Sequence, residues 1–408
     1  MSAEVVLIVI MLYFAMLVGV SWLTTRNSRG SGDFFVGDRR SPWYVVAIAM
    51  IGTSISGVTF VSVPGMVAAS QFSYLQMVLG FVAGYVVVAY VLLPLYYRLN
   101  MYSIYGYLEQ RFGLRAYRSG SMFFLLSKFL GCGVRMYLTA LVLQLMLFDG
   151  LGVPFWFNVL ITMSVVYLYT FRGGVKTLVW ADMVQTLSLI IAVVLAIVYI
   201  AQALELTMEG VVTKIAESPM SRVWFFDDVD DKRYFFKQFL AGMFTTIAMT
   251  GLDQDMMQKN LSCKSLADAR KNVLSYGVAF LPVNLLFLAL GVLLYIYASH
   301  IGLADADGHL TMLKPDELFP YIATSVGLPT IVGVLFVVGI VAAAFSSAGS
   351  AVTALTTSVT IDMLRADRHN DTQHLTKVRS RVHIINCIVM GVLIWLFQII
   401  GNGSVIDA

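Results

Sequence analysis

Two clusters of small and hydroxyl-bearing residues interrupt long apolar stretches of this 408-residue chain. The first, from Gly52 to Phe60, contains two glycines and four hydroxyl groups. Within a bilayer every backbone polar group needs a partner, so a helix break persists only where it lines a cavity or binds something. Carbonyls freed by such a break can coordinate a cation. Close packing of helices through small residues is the alternative, and these residues alone do not decide between the two.

The second cluster begins at Ala342 and continues to Thr357. Its hydroxyls recur at helical spacing, so they share one face of a helix. A hard monovalent cation is held by several oxygens, and this face supplies them without a fixed negative charge. A packing seam of small residues is again the alternative. The residues of the shared face are Ser346, Ser350, Thr353 and Thr357.

Three charged residues lie within or at the start of apolar stretches. Asp182 opens one stretch, and a carboxylate that enters a bilayer is costly enough to indicate a function, although it could instead cap its helix or pair with Lys176. Lys128 and Arg135 are seven residues apart on another stretch and share a face. Arg135, the deeper of the two, could bind a substrate carboxylate bidentately or form a structural ion pair.

The composition indicates what kind of structure holds these residues. Of all residues, 59% are hydrophobic and 12% are charged. Soluble domains contain about 25% charged residues, and the mean hydropathy here is +0.80. The pattern predicts an all-α integral membrane protein without a soluble domain. The predicted spans are 4–23, 42–68, 73–97, 119–148, 154–171, 181–203, 237–257, 271–299, 325–364 and 382–401. Segments 42–68 and 325–364 are long enough to be tilted, bent or broken.

Most of the 27 basic residues fall in alternate loops, which predicts that the N terminus lies outside the cell membrane. The basic residues do not gather in one patch, so the charge pattern does not indicate nucleic-acid binding. The three cysteines are too far apart for a disulfide framework or metal-ligand spacing. No set of nucleophile, base and orienting residue is evident, so an enzyme is not predicted.

Four stretches, in order and on consistent sides of the predicted membrane, resemble the sodium/solute symporter family. This family includes sodium-coupled carriers of sugars, proline, pantothenate and sialic acid. The stretches are Asp33–Arg40, Ser103–Gly113, Gly173–Gln185 and Gly251–Lys259.

The resemblance implies a leucine-transporter-like fold of two inverted five-helix repeats after a leading helix. We expect one transmembrane domain over 1–408, with the leading helix at 4–23, the first repeat at 42–203 and an incomplete second repeat at 237–408. Later helices are expected to follow Ala408. The family's principal sodium site maps onto carbonyl and hydroxyl groups of Gly52, Ile55, Ala343, Ser346 and Ser347.

A second sodium, bound by some family members, would use Asp182 and Ser350, but Gly349 stands where another hydroxyl is expected. We therefore predict one sodium ion per transport cycle. The expected function is symport of a small polar organic solute by a monomer in the cell membrane. A proton-coupled carrier or a symporter-like sensor domain is the alternative. The predicted substrate-binding residues are Ser56, Thr59, Tyr74, Gln76 and Arg135.

Overall fold

The computed structural model describes residues 3–26, 31–99, 103–144, 148–171, 173–305, 310, 313–325, 328–368 and 371–400. Over these residues the chain is helical, and its extended pairing is limited to isolated bridges. The helices are α1 (Ala3–Thr25), α2 (Ser31–Val36), α3 (Trp43–Ser54), α4 (Gly57–Gly65), α5 (Val67–Ser70), α6 (Tyr74–Val87), α7 (Leu93–Arg98), α8 (Gly106–Phe112), α9 (Leu114–Leu143), α10 (Phe155–Thr170), α11 (Val175–Ala203), α12 (Met208–Glu217), α13 (Phe235–Thr246), α14 (Gln254–Asn260), α15 (Leu266–His300), α16 (Pro315–Ser325), α17 (Thr330–Thr357) and α18 (Thr372–Ile400).

Each predicted span coincides with one or more of these helices. Among the described residues, seven helical segments are long and apolar enough to cross a membrane, or eight if the bent pair is counted as one span. The predicted span at 154–171 is the shorter apolar helix α10. The seven segments are Leu7–Thr25, Val67–Arg98, Leu114–Leu143, Val175–Ala203, Leu266–His300, Thr330–Met363 and Thr372–Ile399.

The predicted span at 237–257 is two elements, because helix α13 continues through a π turn only as far as Gly251. Asp253 then starts the separate helix α14 by accepting hydrogen bonds from the backbone N–H groups of Asp255 and Met256, at 2.8 and 3.2 Å. A carboxylate cap of this kind satisfies donors that a new helix leaves unpaired. Helix α14 therefore does not continue the membrane span.

The predicted break in segment 42–68 is present, and helices α3 and α4 meet at a bend of 66°. Ile55 is extended, and its N–H makes the last bond of α3, 3.1 Å from Ile51 O. Ser56 caps α4 by accepting from the backbone N–H of Thr59 at 3.2 Å. A hydroxyl at this cap position explains why a new helix begins directly after the break.

The broken helix packs against helices α11 and α17 in the centre of the protein. Gly52 allows α3 to approach α11 closely, since a Cβ at this position would lie 2.1 Å from Thr186 Oγ1. Helix α17 is buried continuously from Gly339 to Thr357. Its hydroxyl-rich face is therefore enclosed by protein, as a polar face within a membrane requires.

Candidate functional site

The hydroxyls of Ser346 and Ser347 are buried on α17 and have no hydrogen-bond partner. Helix α17 runs alongside the broken helix at this level. A Cβ on Gly57 would lie 3.4 Å from the side chain of Ile340, while Ser350 shares the carboxylate of Asp182 with Thr53 of α3. Ser346 and Ser347 lie between these two contacts along α17.

Gly52 and Ile55, the predicted sodium ligands on the broken helix, would contribute main-chain carbonyls. The last carbonyls of a helix have no partner within it, and α3 ends at Ser54, two residues after Gly52. Ile55 lies in the break itself. Ala343, one turn before Ser347 on α17, is also buried. The carbonyl-bearing break packs against the helix that carries these hydroxyls, so their oxygens could together hold a cation.

Asp182 lies on α11 beside this region and forms a buried ion pair with Lys259 of α14. The two side chains are 0% and 1% exposed, respectively. The Lys259 ammonium also donates to the hydroxyl of Thr53. The hydroxyls of Thr53 and Ser350 each donate to Asp182 Oδ2 at 3.3 Å. The two residues predicted for a second sodium, Asp182 and Ser350, are therefore in contact, and Asp182 binds an ammonium group.

Lys259 corrects two interpretations of the sequence. Lys259 directly follows the predicted span at 237–257, which places it in a loop, but its side chain is buried. The ion-pair partner of Asp182 is Lys259 rather than Lys176. The reason is the separate helix α14, which carries its polar side chains into the protein. The sequence feature that could have indicated this contact is the pair Gln258-Lys259, which ends the stretch Gly251–Lys259 that resembles the sodium/solute symporter family.

Gln258 contacts the same helix α17 about two turns after Ser350. Its side-chain amide donates to Thr357 Oγ1 at 2.6 Å and to Phe35 O at 2.5 Å. Thr353, between Ser350 and Thr357 on this face, has a buried hydroxyl without a partner. Helix α14 consequently covers the hydroxyl face of α17 from Ser350 to Thr357 in this structure.

The predicted substrate residues Ser56 and Thr59 lie at the start of α4, with their hydroxyls 3.1 Å apart. Arg135 is on α9, and its Nε donates to Gly131 O at 3.1 Å. Thr139, one turn from Arg135 on the same face, lies close to the break, since a Cβ on Gly57 would be 3.6 Å from Thr139 Oγ1. No described carboxylate forms an ion pair with Arg135.

The two remaining predicted substrate residues lie on α6. The ring of Tyr74 packs edge-on against Phe81, with centroids 6.3 Å apart. Gln76 is fully buried, and its amide binds the segment before α13, donating to Arg233 O at 2.7 Å and accepting from Phe225 N at 3.2 Å. A substrate contact by Gln76 would require this segment to move.

Lys128, seven residues before Arg135 on α9, forms a structural ion pair. Its Nζ lies 2.8 Å from Asp255 Oδ2 and 3.1 Å from Asp253 Oδ2, which ties α9 to the start of α14. Sequence reasoning missed a tyrosine pair at the break. Tyr276 of α15 bonds the hydroxyl of Ser54 and accepts from Tyr85 OH at 2.6 Å. No local pattern marks these tyrosines, because α6, α15 and α3 are distant in sequence.

A bundle of apolar helices around a broken helix, with buried unpartnered oxygens at the break, defines a membrane transporter of the leucine-transporter-like class. The sodium:solute symporter family matches residues 34–407, and the chain belongs to this family.

Relatives with assigned functions are transporters rather than enzymes. The human sodium/iodide cotransporter is 24% identical over 84% of this chain and 52% of its own length. The human sodium-coupled monocarboxylate transporter 1 is 26% identical over 82% of this chain and 54% of its own length. The sodium/sialic acid symporter NanT of Aliivibrio fischeri is 23% identical over 96% of this chain and 76% of its own length. The chain spans about half the length of the two human relatives.

Solved structures confirm the fold. A substrate-bound, outward-open sodium-coupled sialic acid symporter superposes with a TM-score of 0.82 at 21% identity, over 98% of this chain and 83% of its own. A closed transporter of the nucleobase-cation-symport-1 family superposes with a TM-score of 0.54 at 15% identity, over 89% of this chain and 76% of its own. The predicted leucine-transporter-like fold is therefore confirmed. The repeat boundaries at 42–203 and 237–408 stay a prediction.

Proposed function

We propose that this protein couples the entry of sodium to the uptake of a small organic solute that carries a negative charge. The observation that carries the proposal is the pair of buried, unpartnered hydroxyls of Ser346 and Ser347 beside the broken helix. A buried polar group without a partner costs free energy, and a bound cation removes that cost. Sodium binds there together with carbonyls of Gly52, Ile55 and Ala343.

A negatively charged solute is supported by Arg135, which lies one helical turn from Thr139 at the break and has no described acidic partner. The relatives named above are a cotransporter of iodide and carriers of monocarboxylates and sialic acid, and each of these solutes is an anion. Ser56 and Thr59 add hydroxyls on the adjacent turn of α4. The solute therefore binds between α4 and α9, directly after the sodium site.

Transport follows from alternating access, in which sodium stabilises the conformation that binds it better. In the predicted orientation, with the N terminus outside, helix α14 closes the cytoplasmic end of the α17 hydroxyl face. Proton coupling is disfavoured because serine hydroxyls do not ionise near neutral pH, and the nearby carboxylate of Asp182 is already ion-paired. A sensor domain would bind the solute without moving it.

Uptake by reconstituted proteoliposomes tests the proposal. We expect a panel of labelled carboxylates and neutral solutes to show sodium-gradient-dependent uptake of one or more carboxylates. Ser346→Ala and Ser347→Ala should each raise the sodium concentration for half-maximal uptake by about tenfold, the effect of losing about 1.4 kcal/mol of binding free energy. The matched control is Ser164→Ala, because the Ser164 hydroxyl bonds only its own helix at Leu160 O, 2.7 Å away.

Three results would each contradict a part of this proposal. Uptake driven by a proton gradient without sodium excludes sodium coupling. Sodium dependence unchanged in both serine variants removes the assigned site. Solute binding without uptake across the panel favours the sensor.

A further inference from the structure

The ion pair of Lys259 and Asp182 has the composition of an occupied cation site. The carboxylate of Asp182 on α11 and the hydroxyl of Thr53 on α3 both bond one positive group, and the hydroxyl of Ser350 on α17 donates to the same carboxylate oxygen. The positive group belongs to a fourth helix, α14. A carboxylate and two hydroxyls are also oxygen ligands that a small monovalent cation could use. The ammonium differs from a free ion in being covalently attached.

The charge balance at this position is already complete. Asp182 contributes one negative charge and Lys259 one positive charge, and both side chains are excluded from solvent. A free cation on the same oxygen of Asp182 as the ammonium would bring two positive charges into contact in a medium of low dielectric constant, where such repulsion is strong. The Lys259 ammonium and a second sodium ion therefore compete for Asp182 Oδ2 and cannot both bind it.

We propose that the Lys259 ammonium is a tethered substitute for a second sodium ion, so that one free sodium binds at Ser346 and Ser347 per transport cycle. The inference rests on the proposed function and deepens it, because it fixes how many ions are coupled to the solute. It adds a structural cause to the single-sodium prediction, which the sequence supported only through the missing hydroxyl at Gly349. It further implies that removing the Lys259 side chain opens a site for a second ion.

One oxygen of the site supports this implication. Asp182 Oδ1 is buried and forms none of the bonds made by Oδ2, and the Ser346 hydroxyl lies next to this carboxylate. Only Oδ2 is used by Lys259, Thr53 and Ser350. A site emptied of the ammonium would thus offer a carboxylate and hydroxyls with free lone pairs.

Binding of radioactive sodium to the detergent-solubilised protein tests the proposal without a known solute. We expect one bound sodium per wild-type protein, two per Lys259→Ala protein and one per Asp182→Asn/Lys259→Ala protein. Lys259→Arg retains the tethered charge and should also bind one. Thermal unfolding gives a second readout, because a ligand that binds only the folded state raises the unfolding temperature in proportion to the logarithm of its concentration.

The unfolding temperature of Lys259→Ala should rise more steeply with sodium concentration than that of the wild type or of the neutral double variant. Two sodium ions per wild-type protein overturn the inference and leave the proposed function standing. A Lys259→Ala protein that binds one ion, or that does not fold at any sodium concentration, also overturns it. No sodium binding to the wild type instead contradicts the proposed function itself.

Discussion

The hydroxyl of Tyr169 occupies the space beside Gly349, where a Cβ would lie 2.0 Å from Tyr169 Oη. Tyr169 is fully buried on α10 and donates to Phe345 O of α17 at 2.6 Å. Position 349 is where the family resemblance expects a hydroxyl for the second sodium. A side chain at this position would overlap the hydroxyl of Tyr169, which explains sterically why the residue is a glycine.

Gly349→Ala should therefore destabilise the folded protein by about 1–3 kcal/mol, the usual cost of overpacking a core. Thermal unfolding in detergent measures the effect. The control is Gly19→Ala on α1, where a Cβ meets nothing within 4 Å. An alanine there should be neutral or stabilising, because glycine within a helix is less stable by about 0.5–1 kcal/mol. Equal effects of the two substitutions would contradict the contact with Tyr169.

Arg135→Lys should weaken binding of a carboxylate solute by about 1.5–3 kcal/mol, because lysine lacks the planar fork that binds both carboxylate oxygens. The measurement is the rise in unfolding temperature caused by a solute identified in the uptake panel. Arg118→Lys is the control, since Arg118 is an exposed residue of the same helix. A well-folded Arg135→Lys protein with undiminished solute binding would remove Arg135 from the site and favour a neutral substrate.

Lys128→Met should destabilise the protein by about 3 kcal/mol, since it leaves the carboxylates of Asp253 and Asp255 without their largely buried cation. Asp255→Asn added to this variant should restore part of the loss by removing one of the two unpaired charges. Lys237→Met, at an exposed lysine, is the control. Chemical or thermal unfolding measures the stability of the wild type, Lys128→Met, Lys128→Met/Asp255→Asn and Lys237→Met. A Lys128→Met protein as stable as the control would show that this ion pair does not stabilise the fold.

Cys263 lies directly after α14, so its reactivity can report whether α14 moves away from the protein. Its side chain is fully buried, and burial raises the pKa of the thiol from 9.0 to about 12. Because the thiolate is the reactive form, maleimide labelling near pH 8 should be slow while α14 is docked. When α14 moves, the pKa returns toward 9.0, and labelling should accelerate and increase with pH.

In the Cys132→Ser/Cys387→Ser background Cys263 is the sole cysteine of the sequence. Removal of sodium should accelerate its labelling if sodium favours the conformation in which α14 is docked. Mass spectrometry of the labelled protein with sodium and with choline in its place measures the difference. Labelling that is rapid and identical in both conditions would mean that α14 does not close this end of the protein.

The sequence predicted the features that depend on local patterns. The break at Ser54–Gly57 follows from glycines and hydroxyls inside an apolar run, and the shared face of Ser346 and Ser350 follows from helical spacing. These required no knowledge of tertiary contacts.

Contacts between distant residues could not be predicted in the same way. Lys259 and Asp182 are 77 residues apart, and a lysine near the end of an apolar run ordinarily belongs to a loop. Gln76 and the segment it binds at Arg233 are 157 residues apart. Only the docking of α14 and of the segment before α13 shows that these polar side chains are enclosed.

The break between α3 and α4 also sets two opposite helix termini facing one small space. Peptide dipoles leave partial negative charge at the C-terminal end of α3 and partial positive charge at the N-terminal end of α4. A cation next to the first end and an anionic group next to the second each meet a complementary field, and the two ligands attract one another across the gap. Affinity for either should therefore rise when the other is present, and by thermodynamic reciprocity the increase is the same in both directions. We therefore expect a single interruption in one helix to couple the binding of ion and solute, without a signal carried across the protein.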